Sequence, residues 1–473
     1  MDEAVACSGC RERDARIAVL EVRLVEVAAA FRGLEGQVKD LKAQRSDQQP
    51  PERPAPDLPP GPDKKPSGRK PGAQPGHAPH LKQLLPPERV HKTVRYLPKT
   101  CTQCQTVLPE AAGPNDPEPT RHQVAELPPV VAVITEHQGH SRTCPCCGKL
   151  NHAPIPGEVR QHRIGPHLTA VVGYLTGGQG ISKRGVEEIV ETVFHAPIAL
   201  GTVSKLEQEM SASVALAHAE ATAAVRDAPV KNVDETGWKE SGKKRWLWVA
   251  ATQMVAVFII HPWRNVAALR SLLGGELKGI LCSDRWVVYL QWPDPYCRQL
   301  CWAHLKRNWE KMVLRGGSAK RFADQCLAIH RQVFTLWHRF RGGGCLRSEL
   351  ANRVLPLVES LQEILASGAE CRDARTRRFC ARLLKESYGL WTFIGTEGVE
   401  PTNNHGERVL RFAVIWRRRS FGCHSAAGCR YVERMLTVVQ SLRLQKRNVV
   451  EYLSESIAAH RAGRTGPKLA RAG

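Results

Sequence analysis

A proline-rich stretch at residues 48–80 divides this chain of 473 residues into parts that cannot share one continuous core. Its sequence is QQPPERPAPDLPPGPDKKPSGRKPGAQPGHAPH, and this density of proline, glycine and charge favours an extended linker. The basic run within it contains Lys64, Lys65, Arg69 and Lys70, which could contact DNA phosphates or lie in a minor groove, or could simply be solvated. Because one ordinary domain has ~100–200 residues, we expect a multidomain protein.

Upstream of the linker, residues 17–41 carry apolar side chains in a seven-residue repeat. Two interleaved series form it: Ile17, Leu24, Phe31 and Val38, and Leu20, Val27, Leu34 and Leu41. This spacing is typical of a coiled coil. We expect residues 1–47 to form a coiled-coil helix that makes the protein a homo-oligomer. An amphipathic helix packed on its own chain is the alternative.

The charge balance narrows the class of partner. Lys and Arg number 68 against 46 Asp and Glu, which gives a net charge of +22. This excess indicates nucleic acid, an anionic membrane surface or an acidic protein as the partner. The longest apolar run, residues 254–260, is far shorter than the ~20 residues of a membrane span. The first residues lack the apolar segment of a secretory signal, so we expect a cytoplasmic protein whose 16 cysteines stay reduced.

Two CxxC pairs, Cys101 with Cys104 and Cys144 with Cys147, indicate a structural metal site. Each pair can place two thiolates on one tight turn, and two pairs complete the closed tetrahedral site of structural Zn²⁺. We therefore predict a small zinc-binding domain at residues 81–158. Four unrelated reduced thiols are the alternative.

The second pair is ambiguous, because either Cys146 or Cys147 could be the partner of Cys144. Cys146 could replace Cys147, but Cys147 keeps the two-residue spacing and precedes Gly148, which suits a knuckle turn. We therefore favour Cys147.

Residues 159–226 have helical periodicity. Within them, the segments 185–194 and 200–210 flank the short break HAPIA, which predicts a helix-turn-helix. Four polar side chains would lie on its second helix: Thr202, Ser204, Lys205 and Gln208. The expected function is DNA reading, and a purely structural helical hairpin is the alternative.

Residues 227–310 change to the pattern of strands. The expected elements are strands at 230–235, 245–251 and 254–260, a helix at 265–275, and strands at 279–284 and 298–304, the last running into a helix. A three-stranded meander, a helix and two further strands predict a mixed α/β layer with one sheet.

The rest of the chain is expected to be mostly helical. A glycine-rich break at 342–344 interrupts it, and Thr402 or Asn403 is a good N-cap for a helix that contains Glu407. Three parts are predicted: a helical insertion at 311–395, the last part of the α/β core at 396–440, and a C-terminal helix with a basic tail at 441–473.

Three acids are candidates for catalysis. Asp234 is expected to end the first strand and Asp284 the fourth, while Glu407 begins a later helix. If the first and fourth strands are neighbours, these carboxylates approach each other, which is costly unless a cation neutralises them. Mg²⁺ or Mn²⁺ prefers oxygen ligands, and two such ions suit phosphodiester chemistry.

Each acid also has a structural interpretation, as a turn cap or, for Glu407, as an ion-pair partner of Arg411. Three other acids compete for the catalytic role: Glu235, Glu397 and Glu400.

Other side chains near these acids are ambiguous. Cys301 and His304 could orient the site or contact DNA, or could serve only in packing. Five arginines could hold the DNA backbone or form a solvated helix face: Arg408, Arg411, Arg417, Arg418 and Arg419.

Several motifs resemble those of the insertion-sequence sixty-six (IS-sixty-six) family of transposases, in the same order and over nearly the whole chain. The core motifs are VDETGW (233–238), SDRWVVY (283–289), CWAHLKRNW (301–309) and TNNHGERVLR (402–411). The segment GRKPGAQPGH (68–77), the CxxC pairs and the N-terminal heptad also fit.

This resemblance implies a DDE transposase with an RNase H-like core interrupted by a helical insertion. It implies that Asp234, Asp284 and Glu407 bind two Mg²⁺ or Mn²⁺ ions. It also implies that the enzyme cleaves the inverted-repeat ends of an insertion sequence and joins their 3′-OH ends to target DNA. It further implies that the enzyme acts in the bacterial cytoplasm, associated with the nucleoid when bound to DNA. Small accessory proteins of the same element are also expected. His405 and Gly406 depart from the usual family pattern, and a glycine beside Glu407 is expected to loosen the helix.

Two other functions remain open at the sequence level. One is a catalytically inactive, zinc-containing DNA-binding regulator, and the other is an RNase H-like nuclease that does not join strands.

Overall fold

The computed structural model describes three stretches of the chain: residues 84–111, 113–114 and 116–470. The predicted coiled coil at 17–41 and the four linker cations from Lys64 to Lys70 lie outside the described residues. The chain divides into two compact units, residues 1–125 and 126–473.

The described part of the first unit has little regular structure. It contains a 3₁₀ turn at Pro87–Arg89 and an isolated antiparallel bridge between Thr100 and Val107. This bridge closes the loop that carries Cys101 and Cys104.

The second unit contains two sheets and many helices. Its strands are β1 Ser141–Thr143, β2 Leu150–His152, β3 Val230–Glu240, β4 Lys243–Ala251, β5 Ala256–His261, β6 Ile280–Ser283 and β7 Arg298–Leu300. Its helices are α1 Gly157–Gln161, α2 Pro166–Gly173, α3 Lys183–Phe194, α4 Leu200–Ser213, α5 Ala215–Asp227, α6 Val266–Leu273, α7 Trp302–Val313, α8 Gly317–Arg341, α9 Arg347–Ala369, α10 Ala374–Glu386, α11 Thr392–Gly395, α12 Asn404–Ser420, α13 Ala426–Leu444 and α14 Val449–Arg461.

The main sheet has the strand order β5-β4-β3-β6-β7. Strands β3, β4 and β5 form an antiparallel meander, whereas β6 pairs with β3, and β7 with β6, in parallel. The predicted mixed α/β layer and the neighbouring first and fourth strands are confirmed. A helix, α6, joins β5 to β6, and Asn265 caps it by accepting a hydrogen bond from the Ala268 N–H at 3.1 Å.

The first strand is longer than expected, because β3 does not end at Asp234 but continues to Glu240. It pairs with β4 over this extra length and ends at a tight turn in which Ser241 and Gly242 have φ values of 46° and 76°. Two positive φ values match the twist of a β-hairpin. Asp234 and Gly237 of the DETG motif therefore lie inside a strand, although both residue types are common in turns.

The last strand is shorter than expected. Strand β7 ends at Leu300, and the predicted strand residues up to His304 belong instead to the first turn of α7. The buried side chains of this helix recur at helical spacing: Trp302, Leu305, Trp309 and Met312. The helical spacing of these buried side chains begins at Trp302, which explains why the helix starts there. His304 lies on another face of the helix.

The outer edge of the main sheet is covered by α13. Three α13 side chains, each four residues apart, accept hydrogen bonds from alternate backbone N–H groups of the edge strand β5: Ser441 from Ala256, Thr437 from Phe258 and Glu433 from Ile260. Four helical residues rise ~6 Å and two strand residues ~6.8 Å, so the two repeats nearly match. An edge closed in this way cannot pair with another chain.

Three hydrophobic cores support the second unit. One lies between the sheet and its helices, one within α7 to α11, and a small one among α2, α3 and α4. The helical content predicted for 311–395 is confirmed, with the expected break between α8 and α9 at 342–344.

The C-terminal segment is partly anchored. Leu469 is buried, and the N–H groups of Leu469 and Ala470 donate to the Glu220 carboxylate. The predicted basic tail therefore packs on the fold at least to Ala470. Between residues 84 and 470, no helix combines the length and apolar character needed to cross a bilayer.

Candidate active site

The central strand β3 and its parallel neighbour β6 bring the first two candidate acids together. The last pair in their register is Asn232 with Cys282, and Asp234 and Asp284 each lie two residues beyond it. Because side chains two residues apart on a strand share a face, Asp234 lies on the same face of β3 as Asn232, and Asp284 follows directly after the end of β6.

Asp234 is a strongly perturbed carboxyl group. Burial, with the nearby charges of Glu235, Glu407 and Asp284, raises its pKa to about 7, although the Glu235 N–H donates to its Oδ1 at 2.9 Å. The effects of Glu407 and Asp284 on this pKa indicate that the three predicted acids share one electrostatic environment.

Asp284 lies directly after β6, one residue beyond the strand of which the sequence predicted it to be the last residue. Its Oδ1 accepts a hydrogen bond from the Trp286 N–H at 2.9 Å, which fixes the carboxylate as the chain turns away from the sheet. Asp284 therefore caps this turn, as in the alternative interpretation, and its second carboxylate oxygen is left for other contacts.

Glu407 lies in the first turn of α12, where a negative charge is favourable. Its Oε1 is 3.5 Å from His304 Nδ1 and 3.4 Å from an Arg307 guanidinium nitrogen. The side chain is 30% exposed. Arg307 on the adjacent face of α7 therefore hydrogen-bonds this carboxylate, whereas the buried His304 Nδ1 lies near it without a hydrogen bond.

Asn403 attaches the start of α12 to β3. Its Nδ2 donates to the Val233 carbonyl at 2.8 Å, and its Oδ1 accepts from Asn232 Nδ2 at 2.9 Å. Its backbone N–H donates to Cys301 Sγ at 3.1 Å. Asn403 occupies the predicted N-cap position, but its side chain makes no capping hydrogen bond, because it is used to hold the helix against the strand.

Gly406 allows the same close approach. A Cβ at this position would lie 3.1 Å from Asn403 Oδ1 and 3.3 Å from Asn232 Cβ, tighter than ordinary van der Waals contact. The expected loosening is not seen, since α12 is continuous around Gly406 and the residue is buried. His405 adds a second attachment, because its Nε2 lies 2.7 Å from the Thr252 carbonyl oxygen after β4.

Cys301, His304 and Glu407 form a further group of possible metal ligands. Each offers one ligand atom, and the three atoms lie within 4.8 Å of one another, the one such group in the part of the chain that the structure describes. Burial raises the pKa of Cys301, and burial with the Arg307 charge lowers the pKa of His304. A neutral imidazole and a thiol suit a softer ion than Mg²⁺.

The rival acids have other partners. Glu235 is almost fully buried and bonds the Tyr289 hydroxyl and the Arg264 guanidinium, whose Nε lies 2.9 Å from Oε1. Glu400 pairs with Arg341. Of the alternatives, only Glu397 is exposed, and it lies in the loop before α12.

A sequence model of the family described as Transposase IS66 family matches residues 161–431. The chain belongs to the IS66 transposase family. A search of curated proteins gave no match. The matched region includes the main sheet, helices α7 to α12 and all three candidate acids, and it begins after the two CxxC pairs. Family membership implies that this transposase binds DNA and requires a divalent metal ion.

The predicted DNA-binding arginines of the transposase differ in their surroundings. Arg417 bonds Thr236 Oγ1 at 2.9 Å and the Gly237 carbonyl, so it holds α12 along β3. The other four are exposed: Arg408, Arg411, Arg418 and Arg419. Sequence reasoning treated these five as equivalent and missed the contact of Arg417.

The predicted helical hairpin of the transposase is present as α3 and α4. Lys205 and Gln208 are exposed on α4, whereas Ser204 accepts a hydrogen bond from Lys183 Nζ at 2.9 Å. Glu209 of the same helix forms an ion pair with Arg461, with Oε1 and Nε 2.7 Å apart. Only a narrow face of α4 is therefore available to a partner.

The first CxxC pair lies on a tight turn. The Cys101 N–H donates to the Thr106 carbonyl at 2.9 Å, and the Gln105 N–H donates to the Cys101 carbonyl at 3.0 Å. Gln105 has a φ of 60°. Hydrogen bonds with Thr106 lower the pKa of Cys104 to about 7.

The second CxxC pair has the same local turn. The Cys144 N–H donates to the Lys149 carbonyl at 2.8 Å, and the Gly148 N–H donates to the Cys144 carbonyl at 3.0 Å. Gly148, with a φ of 70°, takes the place of Gln105. In this correspondence Cys147, rather than Cys146, is equivalent to Cys104.

The close approach at Gly406 gives a first prediction. Gly406→Ala should lower the free energy of unfolding by ~1–3 kcal/mol, because Asn403 is held by its own hydrogen bonds and cannot move aside. Gly201→Ala is the matched control. It adds a methyl group to the first turn of α4 where no atom lies within 4 Å, and should change the free energy of unfolding by less than ~0.5 kcal/mol. Urea unfolding measures both changes, and a stabilised Gly406→Ala protein would contradict this account.

Proposed function

We propose that this transposase is a DDE enzyme whose catalytic core is RNase H-like. The sheet supports the proposal, because an antiparallel meander is followed by two parallel strands and the candidate acids lie at the central pair. The observation that carries it is the register of β3 with β6, in which Asp234 and Asp284 each lie two residues beyond the last pair. Burial and the charges of Glu235, Glu407 and Asp284 raise the pKa of Asp234.

The residues fit a divalent metal ion. Asp234, Asp284 and Glu407 provide only hard oxygen donors, which Mg²⁺ and Mn²⁺ prefer, and their mutual repulsion is relieved by a cation. We propose that these three carboxylates hold two such ions. Bound ions would activate the attacking oxygen and stabilise the leaving oxygen.

The chain's own groups prepare this site. Asn403 and Gly406 keep the first turn of α12 close to β3, and a hydrogen bond from Arg307 positions the Glu407 carboxylate. Burial and the neighbouring acids raise the pKa of Asp234 to about 7, and a cation held by these carboxylates would favour its ionised form.

The proposed reaction has two steps. Water attacks the phosphodiester at an inverted-repeat end and releases a 3′-OH. That 3′-OH then attacks a phosphodiester of target DNA and displaces its 3′ oxygen. Neither step requires a covalent bond between the protein and DNA.

Substitution of the acids tests the assignment. Asp234→Asn and Glu407→Gln should each reduce end cleavage and strand transfer with Mg²⁺ or Mn²⁺ by more than ~100-fold, since even outer contacts of metal ligands are worth ~10–100-fold. Glu397→Gln, at the exposed rival acid, is the matched control and should leave the rate unchanged.

The outcomes separate the alternatives. Unchanged cleavage in both acid variants would contradict the assignment. DNA binding without any cleavage by the wild type would favour an inactive zinc-containing regulator. Cleavage without joined products would favour an RNase H-like nuclease.

We also propose that the two CxxC pairs are knuckles that bind structural Zn²⁺. Support comes from their spacing and from the identical hydrogen bonds within each turn. Both turns present their thiols at the surface or half-buried, where a metal ion can reach them. The ligands would be Cys101, Cys104, Cys144 and Cys147.

The knuckle geometry gives a selective prediction. Cys147→Ser should lower the zinc content of the purified protein, whereas Cys146→Ser, one residue away, should leave it unchanged. Atomic absorption measures both. Well under one zinc per wild-type chain, or an unchanged content in Cys101→Ser, would exclude the zinc assignment.

The wider architecture follows from the sequence. We propose that residues 17–41 join copies of the chain into a complex that holds both element ends. The linker cations, Lys205 and the exposed α12 arginines would contact DNA, acting in the bacterial cytoplasm with small accessory proteins of the same element.

A further inference from the structure

A basic groove lies beside the candidate active site. It has a volume of ≈ 1060 Å³ and is bordered by α7, by α10 and by the segment after Asp284. Its one acidic side chain, Glu386, is paired with Arg285, with Oε2 and Nε 3.0 Å apart. The groove therefore presents an excess of positive charge.

One wall is a row of cations on α10. Arg375, Arg378, Arg382 and Lys385 line the groove and recur at steps of three and four residues, so they share one helix face. All four are exposed. Within the described residues, no carboxylate lies within 4.0 Å of their charged nitrogens.

The opposite wall leads from the candidate acids into the groove. On α7, His304 and Arg307 lie beside Glu407, and Asn308 and Lys311 follow on the same face and line the groove. Arg315, just beyond the end of α7, also lines the groove but forms an ion pair with Asp373, with Nε and Oδ2 3.3 Å apart. The distance along the helix from His304 to Lys311 is ~10 Å, which corresponds to about three nucleotides of one B-form strand at ~3.4 Å each.

The floor of the groove begins at the second acid. Arg285 directly follows Asp284, and Val287 and Leu290 expose apolar surface to the groove at 60% and 40%. Apolar surface beside the row of cations on α10 suits a strand whose phosphates contact these cations and Lys311 and whose sugars or bases contact the floor.

We propose that this groove holds the backbone of the DNA strand that enters or leaves the candidate active site. The inference rests on the proposed function, because continuity with Asp284 and Glu407 favours the strand that is cut. A compact anion would not need a row of four cations along α10, and an acidic protein would not need to reach the candidate acids.

Removal of two cations from one wall tests the proposal. Arg378→Ala combined with Arg382→Ala should weaken binding to a labelled 30-base-pair duplex of arbitrary sequence, measured by fluorescence anisotropy over a series of salt concentrations. The slope of log affinity against log salt should become shallower by about two, since each lost phosphate contact removes ~0.9. Lys311→Ala, from the opposite wall, should reduce the slope by about one.

A matched control uses two exposed arginines of α8 that do not line the groove. Arg321→Ala combined with Arg331→Ala removes the same net charge and should leave the affinity and the slope close to those of the wild type. If the groove variants behave like this control, the proposal is wrong.

The groove and the catalytic proposal can fail separately. Asp234→Asn should abolish cleavage but keep the salt-dependent DNA affinity. If the groove variants lose DNA affinity but the wild type shows no cleavage, the DNA-binding role of the groove is supported and the catalytic proposal is not. Groove variants that keep full affinity while Asp234→Asn loses cleavage would overturn the groove alone.

Discussion

The contact between Asn403 and β3 is the constraint on which the candidate active site depends. One amide side chain bonds both the backbone of β3 and the side chain of Asn232, and the adjacent N–H bonds Cys301. Glu407 follows one helical turn later and is therefore held beside the strand that carries Asp234. The cost is a helix start without a side-chain cap, which the favourable carboxylate in the first turn partly offsets.

The remaining architecture keeps β3 rigid at this point. The antiparallel hairpin with β4 fixes one side of the strand and the parallel register with β6 fixes the other, so Asp234 cannot shift relative to Asp284 without breaking a ladder. At the opposite edge of the sheet from β7, side chains of α13 bind the free backbone N–H groups of β5. The acids are thus held in a fixed frame, and the proposed cation would relieve the repulsion between their charges.

The sequence was informative where local chemistry and fold agree. Asp284 directly follows a short buried strand, and its position was predictable to within one residue because the carboxylate interrupts the apolar run. Asp234 was predicted at a strand end, whereas it lies inside a long strand, since the pairing partner β4 lies in a later segment. Asparagine is a common N-cap residue, so the sequence predicted Asn403 as a cap. Its role in attaching α12 to β3 depends on Val233, 170 positions away in the chain. The contact of Arg307 with Glu407 and the shared groove of the α10 cations could not be predicted, because both depend on how the helices pack against each other.

The central claim is that Asp234 and Glu407 belong to one cation site. A double-mutant cycle on Mn²⁺ affinity, measured by titration calorimetry of wild type, Asp234→Asn, Glu407→Gln and the double variant, tests it most directly. Groups that share an ion should each weaken binding, and their effects should be coupled by ~0.5–3 kcal/mol rather than add. Additive losses, or Mn²⁺ affinity that neither substitution changes, would contradict the account.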